Sequence, residues 1–278
     1  MSDPRSPLDR LRERSAALGA PLCLGIDPRP DALPRELPPN VAGIETFARG
    51  LVEAASESAV AVKLNTAYFE AFGSAGWAAL ERVRAAIPPG PLVIIDAKRG
   101  DIGPSAERYA EALLGQLAAD AVTLQPYLGE DAVEPFLAYP GRLVYLLART
   151  SNPSAGWLQD LAVDGQSVAF FVARWAAERW PDGRVGLVVG ATARNELERL
   201  RAAVPGPAFL VPGVGAQGGD LASAVAACHG RWAPGLVNLS RAIADRARGT
   251  DWQLAAAEAA QGWLDDMRKA GVTLGVTS

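Results

Sequence analysis

One histidine and two cysteines are all that the 278 residues offer toward imidazole and thiolate chemistry. His229 alone cannot furnish a His-rich metal site or a pair of acid and base imidazoles. It stands in "CHGRW", where helical spacing gives way to Gly230, and is expected to mark a helix end. Cys23 and Cys228 lie far apart and form no CxxC pair, so neither a disulfide framework nor a thiolate zinc site is suggested. Both are expected to be small buried hydrophobes. A basic excess is lacking too: the net charge of −4 leaves no footprint for nucleic acid or an anionic membrane. No segment approaches the roughly eighteen uninterrupted apolar residues of a membrane span. The opening "MSDPRSPLDRLRERS" is polar and charged with no apolar signal core, so a cytoplasmic protein is expected. There is no Ser/Gly-rich linker, low-complexity tract or charge block, and one domain over residues 1–278 is the expectation. Chemistry on a small molecule then falls to carboxylates, lysines, arginines and backbone.

What is present is a recurring pattern. Eight short runs rich in Val, Ile and Leu occur at 21–27, 59–65, 91–98, 120–125, 142–149, 184–191, 208–215 and 235–241. Near-continuous apolar strands imply burial on both faces, hence a parallel sheet covered by helices. Between them lie segments with apolar residues every three or four positions, such as "IETFARGLVEAASES", "SAERYAEALLGQLAA" and "ARNELERLRAAV". Eight β-then-α units with one extra helix before the first strand fit a (β/α)8 TIM barrel, with a doubly wound open sheet as the alternative. The proline cluster "PRPDALPRELPPN" suits a loop after the first strand.

In a barrel, polar residues at the carboxyl ends of strands face the active-site side. Strand one closes on Asp27, strand two on Lys63 and Asn65, strand three on Asp96 and Lys98, and strand eight on Ser240 and Arg241. Asp96 and Lys98 are two apart and project to one face, while Ala97 turns toward the helices. Two lysines and two carboxylates gathered there would perturb one another's titration, as a catalytic site requires. A charged turn leaving a buried strand is the structural alternative. Arg99 points away from Lys98 in simple alternation, so a salt bridge or solvent exposure is expected for it. In "VPGVGAQGGDLASAV", Gly213, Gly215 and Gly218 match G-x-G-x-x-G, but the motif follows about six earlier units and lacks the acidic residue of a dinucleotide fold. Backbone N–H groups of this seventh loop, joined by Arg241, make a better phosphate site, a surface position being the alternative for Arg241 and a simple loop polar group that for Gln217. Ser151 and Asn152 before Pro153 can form a turn, and the loop carrying Gly156 and Trp157 can serve as a lid.

These residues resemble a known family. "LCLGIDP", "VKLNTAYFEAFG", "DAKRGDIG", "AVTLQPYLG", "RTSNP", "VGLVVGAT", "VPGVGAQGG" and "VNLSRAI" occur in the order found in orotidine 5'-monophosphate decarboxylases, of the longer bacterial branch. The resemblance covers nearly the whole chain, and DAKRGDIG with PGVGAQGG is its most specific part. It implies a homodimeric TIM barrel that needs no metal or organic cofactor and acts on a nucleotide in pyrimidine biosynthesis. It further implies an alternating network of Lys63, Asp96, Lys98 and Asp101, the last shared across the dimer interface. Lys98 would protonate the pyrimidine carbon as carbon dioxide leaves, with Asp96 near the departing carboxylate. Asp27 and Lys63 would bind the ribose 3'-hydroxyl, with Asn65 at the same strand end, and Asp101 and Ser105 would hold the 2'-hydroxyl region from the other subunit. Ser151 would address the pyrimidine, and Gln217, Arg241 and the loop Pro212, Gly213 and Gly215 would hold the phosphate. Ser105 stands where threonine is common, Leu64 where proline is frequent, and Gln125 also departs from the usual residue; none removes a charged group. Related barrels with the same D-x-K-x-x-D signature act on sugar phosphates through a magnesium-bound enediolate. A nicotinamide-dependent oxidoreductase and a silent phosphate-binding barrel are the other readings.

Overall fold

The computed structural model describes residues 5–215 and 217–273. Eight parallel strands close into a barrel: β1 (Leu22–Ile26), β2 (Ala61–Asn65), β3 (Leu92–Arg99), β4 (Ala121–Leu124), β5 (Leu143–Arg149), β6 (Val185–Val189), β7 (Phe209–Pro212) and β8 (Leu236–Leu239). Each pairs with its neighbours in sequence, and β1 pairs with β8, Leu22 opposite Val237. That closure excludes the open doubly wound sheet. Every apolar run read as a strand is one, because each is buried on the lumen side and the helix side alike.

Helices follow the strands in turn: α2 (Val41–Ala55), α3 (Gly73–Ala86), α4 (Gly103–Ala110), α5 (Glu134–Leu137), α6 (Val168–Arg179), α7 (Arg194–Ala203), α8 (Leu221–Ala227) and α9 (Trp252–Thr273). Before them, α1 (Pro7–Leu18) is the extra helix. Ser6 caps it by accepting from the Asp9 N–H at 3.1 Å, Pro7 presets its first turn, and Gly19 ends it at φ +63°. Leu11 of α1 packs with Ala61, Leu92, Leu143, Tyr145 and Leu236, the inward residues of the strands, so this helix closes the end of the barrel where the strands begin. A second, larger core lies between strands and helices and includes Ala97, on the helix side as its alternation predicts.

Arginines finish several helices at that same end. Arg14 donates to the carbonyls of Ser56 and Ala59, Arg84 to Leu117 and Ala118, Arg201 to Ala227, and Arg268 to Leu18. Each satisfies carbonyls that a helix leaves open at its C-terminus. Cys23 and Cys228 are buried as expected, and burial pushes both thiols up to about 12. The helix before His229 does end there, for a reason other than a left-handed glycine. A Cβ on Gly230 would lie 2.4 Å from the Ala233 carbonyl oxygen and 2.7 Å from that of Pro207, so the residue serves close backbone approach.

The excursion between β5 and α6 holds a small antiparallel hairpin, Ala162–Val163 with Gln166–Ser167, that the strand reading missed. Its signal was present: Asp164-Gly165, at φ +50° and +77°, is a favoured two-residue hairpin turn. Among the described residues no helix is long and apolar enough to cross a membrane.

Candidate active site

The carboxyl ends of the strands surround a cavity of about 570 Å³. Alternation along each strand decides what enters it. Asp27, Lys63, Asn65, Asp96, Lys98 and Thr123 come from β1 to β4 and their ends; Leu147, Val188 and Leu210 come from β5 to β7. One wall is charged and the opposite wall is apolar. Pro212, Gly213, Gln217 and Arg241 lie at the β7 and β8 ends, and Ser151 follows β5.

The charged wall is organised about one carboxylate. Lys63 Nζ donates to Asp96 Oδ2 at 2.7 Å and stands 3.9 Å from Asp27 Oδ1. Lys98 Nζ donates to Asp96 Oδ1 at 2.6 Å, and the Thr123 hydroxyl donates to that same oxygen at 2.8 Å. Lys63 is only 4% exposed and Asp96 9%, whereas the Lys98 side chain is 48% exposed at the cavity mouth. Burial alone would raise the Asp96 carboxyl. The charges of Lys63 and Lys98, with hydrogen bonds from both, outweigh it and hold the group well below the usual carboxylate range. For Lys63, burial would lower the ammonium, but Asp96 and then Asp27 raise it above the ordinary lysine value. Both groups therefore stay ionised at neutral pH.

Asp96 and Lys98 share a face as the alternation predicts, but a plain strand does not put them there. The β3–β4 register pairs Ile95 with Val122 and then Arg99 with Leu124, so three residues of β3 stand opposite the single Thr123. In this bulge Lys98 adopts φ +48°, a left-handed conformation rare for a side-chain-bearing residue. Arg99 forms a salt bridge with Glu70, donates to the Ala97 carbonyl at 3.1 Å and sits over the Tyr109 ring, 5.2 Å from its centroid.

Gly213, at φ +102°, lets the β7 loop pass between two other site residues. A Cβ there would meet Gln217 Oε1 at 3.0 Å and the Ser151 Cβ at 3.3 Å. Gly215, at φ +79°, instead backs onto Ala242 and Trp263 and is not among the cavity's lining residues. Asp101 and Ser105 are outside that lining as well; Asp101 Oδ1 accepts from the Ile102 N–H at 2.8 Å at the start of α4.

Sequence reasoning missed Thr123 and Asn238 and gave Ser240 only as a strand end. Asn238 Oδ1, Ser240 Oγ and Asp27 Oδ1 are buried without a hydrogen-bond partner within the described protein, and all three residues line the cavity. A Cβ on Gly25 would fall 2.0 Å from Ser240 Oγ and 2.9 Å from Asn238 Oδ1, so only glycine admits them against β1. The signal was the period of two, Ala121 to Thr123 and Leu236 to Asn238 to Ser240, had it been extended to every strand. Among the described residues no group of three His, Cys, Asp or Glu side chains converges as a metal site.

A closed barrel with lysine–carboxylate pairs at its strand ends and a glycine-rich loop beside an arginine defines a class of barrels for phosphorylated small molecules. Within that class, residues 20–249 match the Orotidine 5'-phosphate decarboxylase / HUMPS family, and the chain belongs to it. It is 47% identical over 238 residues to the orotidine 5'-phosphate decarboxylase of Roseiflexus sp. strain RS-1, spanning 84% of this chain and 87% of that one. The protein of that name from Herpetosiphon aurantiacus is 40% identical over 92% of this chain and 96% of its own. The solved structure of Leishmania donovani OMP decarboxylase superposes with a TM-score of 0.80 at 38% identity, covering 95% of this chain and 99% of that one.

Proposed function

We propose that this protein converts orotidine 5'-monophosphate to uridine 5'-monophosphate, in pyrimidine biosynthesis, without metal or organic cofactor. The observation that carries the reading is the carboxylate of Asp96, held on both oxygens by the ammonium groups of two lysines at the mouth of the barrel. The bond from the pyrimidine ring to its carboxylate breaks, carbon dioxide leaves, and the electron pair stays on the ring carbon. A fixed ammonium beside that carbon stabilises the developing charge and then supplies the proton. Lys98, the more exposed of the two lysines, takes that role; Lys63, buried between Asp96 and Asp27, holds the network and meets the ribose 3'-hydroxyl together with Asp27. The apolar wall of Leu147, Val188 and Leu210 suits the flat ring, with Ser151 addressing its polar edge. Gln217, Arg241 and the backbone of Pro212 and Gly213 grip the phosphate, whose remote binding energy can serve closure around the reacting carbon.

The working unit in this proposal is a homodimer built from one 278-residue domain per chain, in the cytoplasm. Asp101 and Ser105 lie outside the cavity of their own chain and would enter the partner's site, at its ribose 2'-hydroxyl. Supporting this, Ile102 beside Asp101, Tyr109 on α4, and Tyr127 and Leu128 after β4 are large hydrophobics left exposed on the segments that follow β3 and β4.

The test is the ultraviolet change of orotidine 5'-monophosphate mixed with purified, EDTA-treated protein. Conversion to uridine 5'-monophosphate supports the reading. No conversion, or activity on sugar phosphates that EDTA abolishes, would overturn it in favour of magnesium-bound enediolate chemistry.

A further inference from the structure

The bulge in β3 raises a question of backbone accounting. A buried N–H needs an acceptor, and in a regular ladder the neighbouring strand's carbonyl provides it. Lys98 lies inside the bulge, where Asp96, Ala97 and Lys98 face Thr123 alone, and its N–H donates to Thr123 Oγ1 at 3.0 Å. The same hydroxyl spends its one proton on Asp96 Oδ1 at 2.8 Å. Thr123 is 1% exposed and lies on β4, next to the strand that carries the reacting pair.

We infer that Thr123 is a positioning residue for the reaction: a single hydroxyl that holds the Lys98 backbone in its left-handed conformation and aims the Asp96 carboxylate, thereby fixing where the Lys98 ammonium sits. The inference rests on the proposed decarboxylation and on nothing outside this geometry. Three facts point the same way. A left-handed lysine costs conformational energy and persists only where its surroundings over-determine it. Asp96 Oδ1 receives both the Lys98 ammonium and the Thr123 hydroxyl, so the two donors fix the carboxylate's rotation jointly. And a threonine hydroxyl that accepts one hydrogen bond and donates one has its single proton committed, which leaves the substrate no share of it.

The experiment compares Thr123→Val, which keeps the shape and removes the hydroxyl, with Thr123→Ser, which keeps the hydroxyl. Steady-state kcat and KM for orotidine 5'-monophosphate are measured, with urea unfolding to establish that each variant is folded. For Thr123→Val the expected result is a kcat lower by on the order of 10²-fold, the cost of misplacing a reacting group by about an ångström, with KM changed less than about threefold. Thr123→Ser should recover most of kcat. A crystal structure of Thr123→Val should show Lys98 out of the left-handed region or its ammonium displaced from Asp96. Wild-type kcat in Thr123→Val, or equal losses in the Val and Ser variants, would overturn the inference while leaving the decarboxylation standing. If the wild-type protein does not convert the substrate, that reading fails, and the crystal structure still decides the positioning role: an unchanged Lys98 in Thr123→Val refutes it.

Discussion

Replacing Lys63 with methionine keeps the stem's volume and removes the ammonium that Asp96 and Asp27 share. At an effective dielectric near 20, a unit pair at the observed 2.7 Å is worth about 6 kcal/mol, and one at 3.9 Å about 4 kcal/mol. Taking all three charges out of water offsets most of that, so these figures are attractions and not net stabilities. What the substitution changes is the balance: the cost of burying Asp96 remains, while its most buried partner is lost. Removing one member of a buried pair typically costs about 3–5 kcal/mol, and Lys63→Met should fall in that range. Asp96→Asn in the same chain removes the stranded charge, so the double variant should regain part of the loss, with a coupling of about 1–3 kcal/mol. Equilibrium urea unfolding at pH 7 of the wild type, both single variants and the double variant gives the cycle, provided the denaturant slope is unchanged. A loss below about 1 kcal/mol for Lys63→Met, or additivity within about 0.5 kcal/mol, would refute the claim that these two groups stabilise each other inside the barrel.

The Asp96 carboxyl is depressed in the folded state, so its contribution is complete above the unfolded value of about 3.9 and is lost as pH falls through the lower folded value. Lys63 is raised, so its contribution is complete below about 10.4 and is lost as pH rises through the higher folded value; the stability gap between wild type and Lys63→Met should thus stay constant from pH 7 to 9, and thermal midpoints that converge within that window would contradict it. For the proposed homodimer, mixing inactive Lys98→Ala and Asp101→Ala chains should restore about one quarter of wild-type activity, because half of such dimers would be hybrids with one intact site of two; no recovery in verified hybrids would exclude sharing. Leu11→Ala should cost about 2–5 kcal/mol in urea unfolding, since Leu11 is fully buried against the lumen residues, and a loss under about 1 kcal/mol would mean that α1 does not seal the barrel.

Much of this was legible in the chain itself, because a doubly buried strand leaves a continuous apolar run and a barrel puts its polar residues at the ends of such runs. Asp27, Lys63, Asn65, Asp96, Lys98 and Arg241 were found that way and all line one cavity. The geometry of Lys98 was not legible: the bulge depends on how β3 registers against β4, a relation between segments about 25 residues apart. For the same reason Glu70 could not be picked as the partner of Arg99, although a salt bridge was expected. Thr123 and Asn238 were overlooked because short polar side chains inside apolar runs carry no charge to mark them. The Asp164-Gly165 hairpin went unread because strands of two residues leave no apolar run to mark them.

In the proposed reaction Lys98 delivers the proton to the ring carbon left by carbon dioxide. The most direct test of that step is the ultraviolet assay of orotidine 5'-monophosphate conversion by wild type and by Lys98→Ala at equal, saturating substrate and verified fold. The expected result is steady conversion to uridine 5'-monophosphate by the wild type and a kcat lower by at least about 10²-fold, the smallest loss expected on removing a general acid, for the variant. Conversion by Lys98→Ala at the wild-type rate would contradict it.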